Sequence, residues 1–98
     1  MSTLIVIATV HAKPGMSEAL RPHLQALIAP TLLEHGCMRY ELNESEEGGR
    51  WMFVEQWASK AHLDAHLKTA HMAHLQAAAE GLIGSIELFT GAQLPAIA

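Results

Sequence analysis

Apolar and polar positions along the chain change period several times, and each change marks a structural element. Leu4 to Val10 reads Leu-Ile-Val-Ile-Ala-Thr-Val, a continuous β-branched run closed by the turn signal Lys13-Pro14-Gly15. Such a run predicts a strand apolar on both faces, as in the middle of a sheet. From Ser17 to about Glu34 the spacing becomes helical, with Leu20, Leu24, Leu27, Ile28 and Thr31 on one stripe and Ser17 as the expected cap. Pro22 lies near the first turn, whereas Pro30 removes an internal hydrogen bond and predicts a kink in the last turn. Gly36 ends the helix and Cys37 to Leu42 predicts a second strand. Glu44 to Arg50, with Gly48-Gly49, reads as a polar hairpin loop.

Strict alternation returns at Trp51 to Trp57. It puts Trp51, Phe53, Glu55 and Trp57 on one face and Met52, Val54 and Gln56 on the other. Ser59 is expected to cap a short helix through about Lys68. Thr69 should cap another reaching Glu80, with Met72, Leu75, Ala79 and Leu82 inward. Gly81 and Gly84 break that pattern, and Ser85 to Thr90 predicts a fourth strand. Residues 92–98 carry Pro95 and read as an arm that could lie on a partner.

The order β-α-β-β-α-β in 98 residues defines a single α+β domain of the ferredoxin-like, split βαβ type with an antiparallel sheet. Right-handed crossovers put both helical segments on one face. The other face is left bare although the central strands are apolar on both sides. At about 25 cal/mol per Å², burying such a face favours a second copy stacked against it, so a homodimer or larger homo-oligomer is expected.

Composition sharpens this picture. Half the residues are hydrophobic and only 16% are charged, which is apolar for so small a domain. A net charge of −4 with few Lys and Arg argues against nucleic acid as a partner. No run approaches the length of a membrane helix. The opening Met1-Ser2-Thr3-Leu4 has no basic segment, so no secretory signal is expected, and a single cysteine fits a cytoplasmic location. Cys37 is expected to be a small buried hydrophobe, since no basic group adjoins it.

Seven histidines are the main chemical resource. His62 and His66 are four apart on one helix, and His71 and His74 three apart on the next, so either pair could share a metal. No cysteine or carboxylate is spaced to complete a ligand set, and the expectation is no metal. His62 should face solvent, and His11, His23 and His35 should lie at the surface or boundary. His66, between Leu63 and Leu67, should look towards the sheet, either as a general base or as a core histidine satisfied by one hydrogen bond. His71 is the second candidate. Glu55, between Phe53 and Trp57, would have a raised pKa if buried, or would pair with Arg39 or Arg50 across the sheet. Tyr40 and Trp57 could line a pocket or fill the core. There is no phosphate-binding loop, no Ser-His-Asp order and no catalytic carboxylate pair, so no nucleotide cofactor is expected.

Glu34-His35-Gly36-Cys37-Met38-Arg39-Tyr40-Glu41, then Phe53-Val54-Glu55-Gln56-Trp57 and Ala65-His66-Leu67, resemble the antibiotic biosynthesis monooxygenase (ABM) family. Its pattern is close to E-P-G-C-x-x-Y, F-x-E-x-W and a-x-H-x-x-s-x-H. His35 replaces the usual proline, Thr69 and His71 fit the last motif, and Lys13-Pro14-Gly15 also matches. The resemblance spans nearly the whole chain and is densest from Glu34 to His71. It implies a dimeric α/β barrel with a pocket between sheet and helices. It also implies oxidation of a small quinol or phenolic, polycyclic aromatic substrate by O₂ with no metal, flavin or other cofactor. By match to the family histidine, His66 would be the base or substrate hydrogen-bond partner. Tyr40, Phe53, Glu55, Trp57 and His71 would bind substrate or shape the pocket. The Asn, Trp and ligand His of the family's haem-degrading branch align with Ala8, His66 and Gln76, which disfavours that activity. Isomerisation of a small phosphorylated sugar-like signal, suggested by Lys68-Thr69-Ala70-His71, and non-enzymatic binding of a small aromatic ligand stay open.

Overall fold

In a computed structural model, the structure describes residues 3–97; the opening Met1-Ser2 and the last residue of the C-terminal arm, Ala98, lie outside it. The elements are β1 (Leu4–Ala12), α1 (Ser17–Gln25), α2 (Ile28–Leu32), β2 (Cys37–Glu44), β3 (Arg50–Trp57), α3 (Lys60–His66), α4 (Ala70–Ala78) and β4 (Ile83–Gly91). The four strands form one sheet in the order β2-β3-β1-β4, every neighbouring pair antiparallel. This is the ferredoxin-like arrangement expected from the element order.

The predicted long first helix is two helices. Pro30 has no N–H for the Ala26 carbonyl, and the helix breaks across Ala26 and Leu27, four residues ahead of the ring. Ser17 is the first helical residue rather than the cap; Met16 stands in the cap position and makes no side-chain capping bond. The later caps are as expected: Ser59 accepts from the His62 N–H and Thr69 from the Met72 N–H. Gly84 lies inside β4, not before it. A Cβ there would crowd the His11 carbonyl at 3.3 Å, at the point where the β1–β4 register shifts.

Register places Val6, Ala8 and Val10 of β1 opposite Glu55, Phe53 and Trp51 of β3, and these six are buried beneath the helices. Leu20, Leu24 and Leu27 close over them from the first helical segment, and Leu75 and Ala79 from the last. Burying each leucine completely is worth about 2–3 kcal/mol. On the other sheet face Ile5, Ile7 and Val54 are only partly covered, and Met52 and Phe89 are exposed. Apolar exposure extends further than expected. Ile86 and Leu88, on the helix side of β4, are 53% and 64% exposed because no helix reaches that edge. Residues 92–97 have no regular structure and present Leu94 and Ile97 to solvent.

Candidate active site

Three segments converge on His66. The first is the turn after α2. Glu34 opens it, the Cys37 N–H donates to the Glu34 carbonyl, and Gly36 has φ of 85°. That φ suits glycine at the third position of a tight turn, and His35 occupies the second, where proline is favoured. A Cβ on Gly36 would overlap the His62 ring, so the glycine also lets the turn dock against α3. His62 is therefore half-buried on this turn, tilted against His35 at 5.1 Å and 2.7 Å from Ser59 Oγ, not turned to solvent.

The second segment is the corner between α3 and α4. His66 ends α3, and Thr69 Oγ1 donates to its carbonyl while capping α4. This brings His66 and His71 to one side, with ring centres 5.9 Å apart. The third is the buried row of β3 with its β2 neighbour. Trp57 packs against the His66 ring at 4.7 Å, and Tyr40 meets it edge-on at 5.6 Å.

Glu34 joins the two histidines. Its Oε2 lies 2.7 Å from His66 Nδ1 and 2.7 Å from His71 Nε2. A carboxylate oxygen only accepts, so each imidazole presents an N–H to it. In its neutral form His66 then keeps a bare Nε2. Side-chain exposures are 3% for His66, 14% for Glu34 and 21% for His71. The spacing along the chain offered no carboxylate near these histidines; the fold supplies one from 32 residues away.

A cavity of about 250 Å³ opens between the sheet and helices α3 and α4, and His66, Tyr40, Phe53 and Glu55 line it together with Leu63 and Met72. Ala8 and Gln76 also line it, so the three positions aligned with the haem-degrading branch meet in one cavity. Ile86, Leu88 and Thr90 of β4 form its uncovered side. Two of the expected pocket residues stand elsewhere. Trp57 is wholly buried behind His66, and His71 lines a second cavity of about 70 Å³ with His23 and His74. Sequence reasoning missed Glu34 as a partner of His66, although it opened the first matched motif.

Glu55 pairs with neither Arg39 nor Arg50. Arg39 lies opposite Gln56, on the other sheet face, and bonds Glu41; Arg50 is exposed at the far end of β3. What Glu55 has is the Trp57 indole N–H, at 2.9 Å. Burial pushes its carboxyl up from 4.5 to about 7, with the Glu34 charge adding to the rise and the indole bond opposing it. Burial likewise drives the Tyr40 hydroxyl far above the usual phenol range. The Cys37 thiol is half-buried and raised by burial first and by Glu34 second, which keeps it a thiol rather than a nucleophilic thiolate.

Fold and site thus define a small α+β domain with a histidine held by a carboxylate in the wall of an apolar cavity. The antibiotic biosynthesis monooxygenase profile matches residues 3–78, and the chain belongs to that family. Rv0793 of Mycobacterium tuberculosis is 38% identical over 76 residues, covering 78% of this chain and 75% of its own length. The Escherichia coli protein named "Probable quinol monooxygenase YgiN" is 32% identical over 89 residues, covering 80% and 86%. The crystal structure of PA3566 from Pseudomonas aeruginosa superposes with a TM-score of 0.93 at 32% identity, over 97% of both chains. Among the described residues no helix is long and apolar enough to cross a membrane.

Proposed function

We propose that this chain is a cofactor-independent monooxygenase that oxidises a small quinol or related electron-rich phenol with O₂. The observation that carries the reading is His66, fixed by Glu34 through Nδ1 in the wall of a mostly apolar cavity. Bare Nε2 takes the phenolic proton, and the phenolate is electron-rich enough to reduce O₂. One electron passes to O₂, and the radical pair recombines to a C–O bond at a ring carbon bearing hydrogen. The resulting hydroperoxide loses that hydrogen and its terminal oxygen as water, leaving one oxygen atom as a carbonyl. An apolar wall limits loss of the radical pair to solvent. Glu55, titrating near neutrality beside the same cavity, holds or returns the second proton. Tyr40 and Phe53 present aromatic surface to a planar substrate.

The name of the Escherichia coli relative supports the quinol class. Isomerisation of a phosphorylated substrate draws less support, since neither lysine nor arginine lines the cavity among the described residues. The working unit is a homodimer. Partly exposed apolar side chains on the outer sheet face, and Ile86 and Leu88 at the open side of the cavity, support burial by a second copy.

The test is O₂ uptake with menadiol in metal-free buffer. Uptake well above autoxidation, falling sharply in a folded His66→Ala variant, supports the reading. A wild-type rate equal to autoxidation contradicts it.

A further inference from the structure

We propose that Glu34, His66 and His71 form a binding site for one divalent transition-metal ion of the zinc class, and that occupancy switches off His66 as a base. The proposal rests on the reading of His66 given above only for its second half. His66 Nδ1, His71 Nε2 and Glu34 Oε2 all lie within 4.8 Å of one another, in a largely buried setting. Two imidazoles and one carboxylate suit first-row ions of borderline softness and poorly suit Mg²⁺ or Ca²⁺, which want several oxygens.

The geometry is within reach. Ligand bonds of about 2.0–2.2 Å at tetrahedral angles separate donor atoms by about 3.3 Å. Both N···O distances are now 2.7 Å, so each needs to widen by roughly half an ångström. His71 stands on the first turn of α4, and Glu34 on a turn whose end is set by Gly36; both lie outside the sheet core. Trp57 and Tyr40 pack on the His66 ring and hold it in place while the other two adjust. Only His66 of the three lines the large cavity, and only His71 lines the small one, so the ion would sit in the partition between them.

Its chemical consequence follows from the tautomer. In the neutral ring an acceptor-only Glu34 carboxylate at Nδ1 puts the proton on Nδ1 and leaves Nε2 bare. A metal on Nδ1 needs that lone pair, so the neutral ring carries its proton on Nε2 instead. The atom proposed to accept a phenolic proton becomes a donor. Metal and base chemistry then exclude each other at one imidazole.

The experiment titrates metal-free protein with zinc sulfate alone, by calorimetry and by competition with a chromogenic chelator. One zinc per chain with a dissociation constant of micromolar or below is expected, weakened at least tenfold by His71→Ala and by Glu34→Gln. His11→Ala, which removes a histidine of β1 outside the cluster and outside both cavities, should leave it unchanged. Absence of stoichiometric binding, or equal affinity in wild type and His71→Ala, would overturn the site. Quinol oxidation that continues unchanged with the site filled would overturn the switch. A metal-free protein that oxidises no quinol counts against the proposed function alone, because the zinc titration needs no substrate.

Discussion

Two carboxylates in this molecule do the same structural job with different neighbours. Glu44, at the end of β2, accepts from Arg21 Nε at 2.6 Å and from Trp51 Nε1 at 2.7 Å. Glu34 accepts from His66 and His71, also at 2.7 Å. Guanidinium and indole never give up those protons under ordinary conditions, so the Glu44 cluster can only hold α1, β2 and β3 together. Imidazole has two nitrogens that exchange protons near neutral pH, so the Glu34 cluster can hold structure and also set where a proton sits. Glu55 is a third case. Among the described residues it has one indole donor and no cation, and burial drives its carboxyl up to about 7, whereas Arg21 first and Trp51 second pull Glu44 below its usual value. Donor chemistry separates the three more than position does.

The largest expected effect of breaking this contrast is on catalysis. His66→Ala should lower kcat/KM for quinol by about 10²–10⁴-fold, the usual contribution of one acid–base group, with near-native circular dichroism. Steady-state O₂ uptake measures it. Next comes the stability of Glu55→Gln. Since folding raises this carboxyl from 4.5 to about 7, its neutral form is the one that folding favours; the contribution is complete below about 4.5 and lost as pH rises through 7. The variant is always neutral and keeps an acceptor for Trp57. It should match wild type near pH 4.5 and exceed it by about 3 kcal/mol at pH 8.5, as measured by urea unfolding at both values. Equal differences at the two pH values would mean that Glu55 is not held protonated by burial.

Glu34→Gln should cost roughly ten- to a hundredfold in kcat, the worth of one hydrogen bond to a charged group, with KM little changed. Its counterpart Glu44→Gln should leave kcat/KM within about twofold, since that carboxylate touches nothing that exchanges protons near neutrality. A comparable loss in both variants would mean that Glu34 acts only by holding the fold.

The same contrast explains what could be read from the chain. Local signals were clear: the alternation of β3, the Ser59 and Thr69 caps, and the burial of His66 on the Leu63 side of α3 all follow from neighbours a few residues apart, although Leu67, its other flank, is exposed. So does the family resemblance carried by Glu34, Gly36, Tyr40, Glu55, Trp57 and His66. The Glu34–His66–His71 cluster spans separations of 32 and 37 residues, which no periodicity reveals. Alternation along β2 puts Arg39, next to the inward Tyr40, on the face opposite Glu55, so the expected ion pair across the sheet has no geometry to form. Trp57 and His71 were expected to shape the pocket by motif. The helix corner at Thr69 turns His71 onto Glu34 instead, and Trp57 sits behind His66 as its backing. The bare side of β4 was invisible for another reason: it depends on how far α3 and α4 reach across the sheet.

The most direct test is the position of one proton. Long-range proton–nitrogen correlation NMR on metal-free, histidine-labelled protein, at a pH where the ring is neutral, reports which nitrogen of His66 carries hydrogen. The proton is expected on Nδ1 in wild type, with Nε2 bare, and this preference should fade in Glu34→Gln. A His66 ring protonated on Nε2 in the wild-type protein would contradict the account, because the atom meant to receive the substrate proton would already hold one.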